Sequence, residues 1–159
     1  MSTTNDPLIA LADAITAAID AHEWGVTPAA TIETATYFLP VTELGDADPG
    51  TFSVRVVPAP GDDTERVAAG RYKNELTVEV WFQRKLAAKT TDAADESQVA
   101  TMIEASGEIK TLLLGAALTV LGRSAWCIKA TRRPAFDDAV FDEYREFLGR
   151  LETTWRILG

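Results

Sequence analysis

From Glu75 to Gln83 the chain alternates without a break. Leu76, Val78, Val80 and Phe82 fall on one side, and Glu75, Thr77, Glu79, Trp81 and Gln83 fall on the other. A period of two is β-strand geometry, and a strand that is apolar on one side only belongs to a sheet with one buried face. The pattern returns near the C-terminus, where Leu151, Thr153, Trp155 and Ile157 oppose Arg150, Glu152, Thr154 and Arg156. Half-wet sheets are mainly antiparallel, because parallel ones carry helices on both faces.

The cover for the apolar face is legible in the 3.6-residue period. Asp6-Pro7 is a helix start: the aspartate caps orphan N–H groups and the proline needs no donor at the first position. Leu8, Ala12, Ile15 and Ile19 then share a face, Gly25 and Pro28 supply stop signals, and a helix is expected over 7–22. A second helix is expected over 96–114, with Val99, Met102, Ile103, Ser106, Ile109 and Leu113 on one face. Gly107 lies inside it and costs about 1 kcal/mol against alanine, which points to a close approach there. Further strands are expected at 31–39, 51–57, 123–132 and 147–158. Pro58 and Pro60-Gly61 mark 59–71 as a long polar connection, 87–96 reads as a second polar loop, and 135–146 fits either a helix or an irregular loop. The expected fold is α+β: a mainly antiparallel or mixed five-stranded sheet with two main helices packed on one face.

The chain has 159 residues, 47% of them hydrophobic and 25% charged. That suits one domain over residues 1–159 with a core that needs no staples. The formal net charge is −9. Gripping DNA takes clustered Lys and Arg, so tight DNA binding is disfavoured, although an acidic wall can surround DNA without holding it. An anionic membrane surface is disfavoured for the same reason. No basic n-region or continuous apolar stretch opens the chain, so neither a signal peptide nor an anchor is expected. The longest apolar run, Leu112 to Leu118, is far short of the ~20 residues of a membrane span.

The search for chemistry is short. His22 is the only histidine and Cys127 the only cysteine, so there is no intramolecular disulfide and no structural zinc set. His22 falls in the last turn of the first helix, where a structural role outweighs a catalytic one for want of partner groups. Cys127, beside Trp126 and Ile128 in a strand and without a nearby cation, reads as a buried inert thiol. Asp46-x-Asp48-x-Gly50 opens like a calcium loop, but Val57 stands where the closing glutamate belongs. Asp137-Asp138 and Asp142-Glu143 fix no coordination geometry and read as a solvated face. Gly115 and Gly122 before Arg123-Ser124 are spaced too widely for a phosphate loop and lack its lysine. The clusters Arg84-Lys85 and Lys129/Arg132/Arg133 are not interleaved with stacking aromatics and read as strand-end charges. No catalytic residue, cofactor or metal is expected.

What remains is surface. Trp81 lies on the polar side of its strand, and its partner is either a helix or a neighbouring subunit. The loops at 59–71 and 87–96 are polar enough that binding would have to order them.

The order of elements resembles the tail terminator and tail completion (neck, minor tail) proteins of long-tailed bacteriophages. The resemblance is carried by the helix LIALADAITAAI, a strand ending Tyr37-Phe38-Leu39-Pro40, and Val54-Arg55-Val56-Val57-Pro58 before a polar loop. It continues in LTVEVWFQRK, then a helix, a short Trp-containing strand and the final LETTWRIL. It covers most of the chain but is one of order and texture, with no diagnostic motif. It implies a homo-oligomeric ring, commonly six-fold, on the head-proximal end of the tail tube. The ring ends tube polymerisation, docks a head-closure or adaptor protein, and lets DNA pass without binding its sequence. It also implies a place in the virion, at the tail-neck junction, and in the host cytoplasm during assembly. Interface positions expected on this basis are Trp81, Asp62, Asp63, Glu65, Arg66 and Arg71. A head-closure or adaptor connector shares the ring logic but binds the portal side. A small ligand-binding domain or enzyme would instead show an apolar pocket with a few convergent polar groups.

Overall fold

The computed structural model describes residues 6–25, 31–38, 50–68, 71–86, 91–134 and 136–158, and their side chains save at 59–68, 71–74, 142–144 and 158. Helix α1 runs Pro7–Asp20 and ends before the expected residue 22. Asp6 Oδ1 accepts from the backbone N–H of Leu8 (2.9 Å) and Ile9 (3.2 Å), which is the N-cap its position demands. Strand β1, Thr31–Thr36, lies parallel to β2, Thr51–Ala68, and β2 is antiparallel to β3, Arg71–Lys85. Helix α2 spans Asp92–Gly115, strand β4 Ala117–Val120, strand β5 Arg123–Arg132, helix α3 Asp138–Tyr144 and strand β6 Glu146–Leu158. The described strands form one six-stranded sheet in the order β1-β2-β3-β6-β5-β4.

The fold is α+β, as the alternation requires, with three corrections to the expected elements and one open alternative decided. First, most of the expected loop 59–71 is strand: β2 continues to Ala68 and pairs with β3 up to Ala68↔Arg71. Pro58 and Pro60 do not end the strand, because pairing is interrupted only locally. The register jumps from Pro58↔Val78 to Asp62↔Leu76, so the segment holding Pro60-Gly61 bulges and the ladder resumes. Second, α2 begins at Asp92, inside the expected loop 87–96. Thr91 Oγ1 accepts from Ala94 N at 3.1 Å, and Asp92 and Asp95 in the first turn suit the helix dipole. Third, β4 brings the sheet to six strands. Of the two readings of 135–146, the helix holds for α3, capped by Asp137, whose carboxylate accepts from Val140 N at 3.2 Å. Leu39 and Pro40, expected to close the first strand, lie outside the described residues.

Both main helices cover the same face. Leu11, Ala12, Ile15 and Ile19 of α1 and Met102, Ala105, Ile109 and Leu113 of α2 are fully buried with Phe52, Val54, Val56, Leu76, Val78, Val80, Leu151 and Trp155 of the sheet. Helix α1 touches β1 at one edge of the sheet and β4 at the other, so the sheet curls around it. Helix α2 lies on β5 and β6. Arg132 fixes it there: Nη1 donates to the Ile103 carbonyl at 3.2 Å and reaches Ser106 Oγ at 3.5 Å. The close backbone approach expected at Gly107 is not found among the described residues; its neighbour there is this side chain. A Cβ on Gly107 would stand 3.5 Å from Arg132 Nη1, an ordinary contact, so crowding does not demand the glycine.

Strand β6 is central, between β3 and β5, and holds the most buried polar link. Trp155 Nε1 donates to Thr153 Oγ1 (2.8 Å), and Thr153 Oγ1 donates to the Val78 carbonyl (2.7 Å). Thr153 and Trp155 are both 0% exposed. Thr153→Val keeps the shape and removes the hydroxyl, leaving the buried indole N–H without an acceptor. Urea titration should show a loss of about 1–3 kcal/mol at unchanged slope; an unmoved midpoint would show that the relay contributes nothing.

Candidate functional site: an open sheet face and a strand edge

The register places Arg55, Trp81 and Arg150 in one row on the face away from the helices, with Glu79 and Glu152 in the next row and Glu75 opposite Arg156. Trp81 is therefore not under a helix. Its Nε1 donates to Glu79 Oε2 (2.9 Å), and the Arg150 guanidinium lies 5.4 Å from its ring centroid. Arg150 also approaches Glu79 (3.9 Å) and donates from Nε to the Arg133 carbonyl (2.7 Å). Trp81, Glu79 and Arg150 thus form a closed triangle that half-buries the indole. On the other side of the row, Arg55 stacks on Tyr37, 4.3 Å from the ring centroid. Arg55 Nε is buried and has no hydrogen-bond partner among the described residues. Arg156 pairs with Glu75 at 2.7 Å.

Strand β5 adds a second tryptophan to this face. Ala125 and Cys127 point into the core opposite Ile157 and Trp155, so Trp126 points outward opposite Arg156. The bulge between Cys127 and Lys129 puts Ile128 outside the regular alternation, where it is 39% exposed.

The other expected interface positions lie on the far half of the β2–β3 hairpin. Asp62 is opposite Leu76, Asp63 opposite Glu75, Glu65 opposite Lys73, Arg66 opposite Tyr72, and Arg71 opposite Ala68. Their backbone is strand, and their side chains lie outside the described residues. The structure does not bring them to Trp81, which pairs with Arg55 further down the hairpin. The register of β1 on β2 ends at Thr36↔Val56, and the Tyr37 N–H reaches the Val56 carbonyl at 2.9 Å. Beyond Val56, β2 is the margin of the sheet among the described residues.

The residues weighed for chemistry hold structural posts. His22 Nε2 lies 2.6 Å from Glu108 Oε1, which also accepts from the Gly25 N–H at 2.6 Å, and the imidazole sits edge-on to Trp24. One carboxylate of α2 thus ties down the chain leaving α1. Among the described residues no three His, Cys, Asp or Glu side chains are grouped so that they could hold a metal ion. Of the calcium-like segment only Gly50 is described. The two basic clusters are dispersed by the fold: Arg84 is 7% exposed and its pKa is lowered by desolvation, Lys85 stands 4.0 Å from Glu146, and Arg132 turns inward under α2. No described helix is long and apolar enough to cross a membrane. No protein-family model matches the chain, and no curated protein matches it.

Three features escaped the sequence reading. The Glu108 tie and the Arg132 clip join residues far apart in the chain, and local pattern carries no trace of either. The outward turn of Trp126 was readable in principle, since Ala125 and Cys127 share the opposite parity.

Burial pushes the Cys127 thiol above its ordinary value, outweighing the opposing hydrogen bonds from its neighbours' backbone. The folded protein therefore holds this proton more tightly than the unfolded chain. The stability tied to it is complete below the free-thiol pKa of about 8.5 and fades as pH rises toward the folded value. A maleimide at neutral pH should label Cys127 only along the unfolding curve, and Cys127→Ala should flatten the alkaline loss of stability. Rapid labelling of the native protein would contradict this account.

Proposed function

We propose that this protein is a structural component of the head-tail junction of a long-tailed bacteriophage. In this reading it forms a ring on the head-proximal end of the tail tube, ends tube polymerisation and presents a surface to a head-closure or adaptor protein. The observation that carries the reading is the β2–β3 hairpin, which continues past the described end of β1, so that beyond Val56 β2 is the margin of the sheet among the described residues. A margin of this kind keeps backbone donors and acceptors for a strand from another subunit. Pro58 and Pro60 break its row of donors, and such breaks blunt indiscriminate pairing.

The open sheet face adds a second contact surface, with two tryptophans and an arginine whose Nε has no described partner. The net charge of −9 suits a channel through which DNA slides without sticking. The resemblance of the sequence to the tail terminator family, one of element order and texture, is the other ground for this reading. The related role of a head-closure or adaptor connector differs in the partner. Immobilised protein should capture tail tube subunits and not portal protein, and the reverse would assign it to the portal side.

The direct test adds the purified protein to polymerising tail tube subunits and images the products. Tubes should stop growing at one end and carry a ring there. Tubes with unchanged lengths and bare ends would end the terminator reading.

A further inference from the structure

Helices α2 and α3 enclose an apolar groove of about 340 Å³. Val99, Ile103, Phe136 and Phe141 form its walls, and the carboxylates of Glu96 and Asp138 stand exposed at its rim. Asp95, also at the rim, is held by two 3.1 Å hydrogen bonds from Arg145. The groove is thus an apolar slot with a negative lip.

The opposite end of β5 carries a matching shape. Val120 pairs with Arg123, so Leu121 and Gly122 alone make the β4–β5 turn. Both have positive φ, 50° and 76°, as a type I′ turn requires. Asn-Gly is the favoured pair there, because asparagine tolerates left-handed backbone and a branched aliphatic residue does not. Leu121 nevertheless occupies the first position and is 48% exposed. An apolar side chain held in a strained conformation at a hairpin tip gains nothing for the solitary fold. Such strain persists where the residue has another use. Exposed Arg123 follows directly, which makes the tip an apolar knob with a positive neighbour.

We infer that the Leu121 tip of one copy docks in the α2–α3 groove of the next, with Arg123 meeting Glu96 and Asp138. The ten residues of β5, at ~3.3 Å each, separate the two surfaces by about 30 Å, so no copy can satisfy its own groove. Knob and groove are different surfaces, and the contact is head-to-tail. Such contacts propagate, and they close into a ring when the rotation per subunit allows. The inference supplies the self-contact that the proposed ring needs and rests on that reading, but it is tested without any tail protein.

Two variants separate the surfaces. Leu121→Asn removes the knob and relieves the backbone, so the variant should stay folded and melt cooperatively, giving up only the stabilisation that assembly adds. Ala100→Lys places a long cation at the mouth of the groove on an exposed helical position where lysine is well tolerated. In sedimentation velocity the wild-type chain should run as a ring-sized species and each variant as a monomer. An equimolar mixture should give a dimer and nothing larger, because the intact knob of Ala100→Lys fits the intact groove of Leu121→Asn. A monomeric wild type, a Leu121→Asn protein that still assembles, or a mixture without the dimer would each overturn the inference. Variants that assemble normally but fail to cap tail tubes would instead assign the groove to a different partner and equally overturn it. If the self-contact holds while wild-type protein leaves tubes uncapped, only the tail-terminator reading falls.

Discussion

The rest of the structure depends on the curl of the sheet around α1. A flat sheet of this width would leave its two edge strands far apart, yet α1 touches both β1 and β4. Its four fully buried residues, Leu11, Ala12, Ile15 and Ile19, therefore pack against strands drawn from both halves of the chain. The strand that joins those halves is β6, which is both the last element and the central one. Its register with β3 runs from Lys85↔Glu146 to Lys73↔Leu158. The N-terminal hairpin and the β4–β5 hairpin share one core only after β6 has inserted between them, so formation of that core depends on pairing between distant parts of the chain.

This dependence explains the position of the Trp155–Thr153–Val78 relay. A fully buried indole contributes apolar area, but its N–H must find an acceptor. Thr153, two residues earlier on the same face, supplies one and donates its own hydroxyl hydrogen bond to the Val78 carbonyl of the neighbouring strand. The link favours one register of β6 on β3, since a one-residue slip would turn both side chains to the open face. Strand alternation made the core side of β3 and β6 legible in the sequence, because parity alone assigns those residues. The hydrogen bond between i and i+2 follows from the same parity.

Where sequence reading failed, a breaker was mistaken for a boundary, or a contact was too remote to see. Pro58 and Pro60-Gly61 are strong punctuation inside a sheet. On a margin, however, a proline loses a donor that had no required acceptor, and a bulge absorbs the misfit. The short β4 was hidden within the apolar run from Leu112 to Leu118, which the fold divides between the end of α2 and the start of β4. Thr91, the cap that sets the start of α2, stands in the stretch 87–96 whose polar residues read as a loop. The pairing of His22 with Glu108 was out of reach, as was the cradle that Arg132 makes for α2, because each depends on how elements pack. Of the expected contact positions, only Trp81 has its side-chain setting described.

That setting alters what Trp81 can contribute. An exposed indole on a bare sheet would gain mainly from being covered. Here the N–H is already bonded to Glu79 and the ring already lies under Arg150. A partner arriving on this face must replace those contacts with equal ones, and the gain is the difference between two well-bonded states. The margin of β2 beyond Val56 and the Leu121 tip start from a different position. One keeps a strand edge without a described neighbour, and the other holds an apolar side chain in water at a backbone geometry that disfavours it. Covering either yields free energy with little to undo. In the proposed ring, contacts through edges and ends would therefore have less to undo than contacts through the open face.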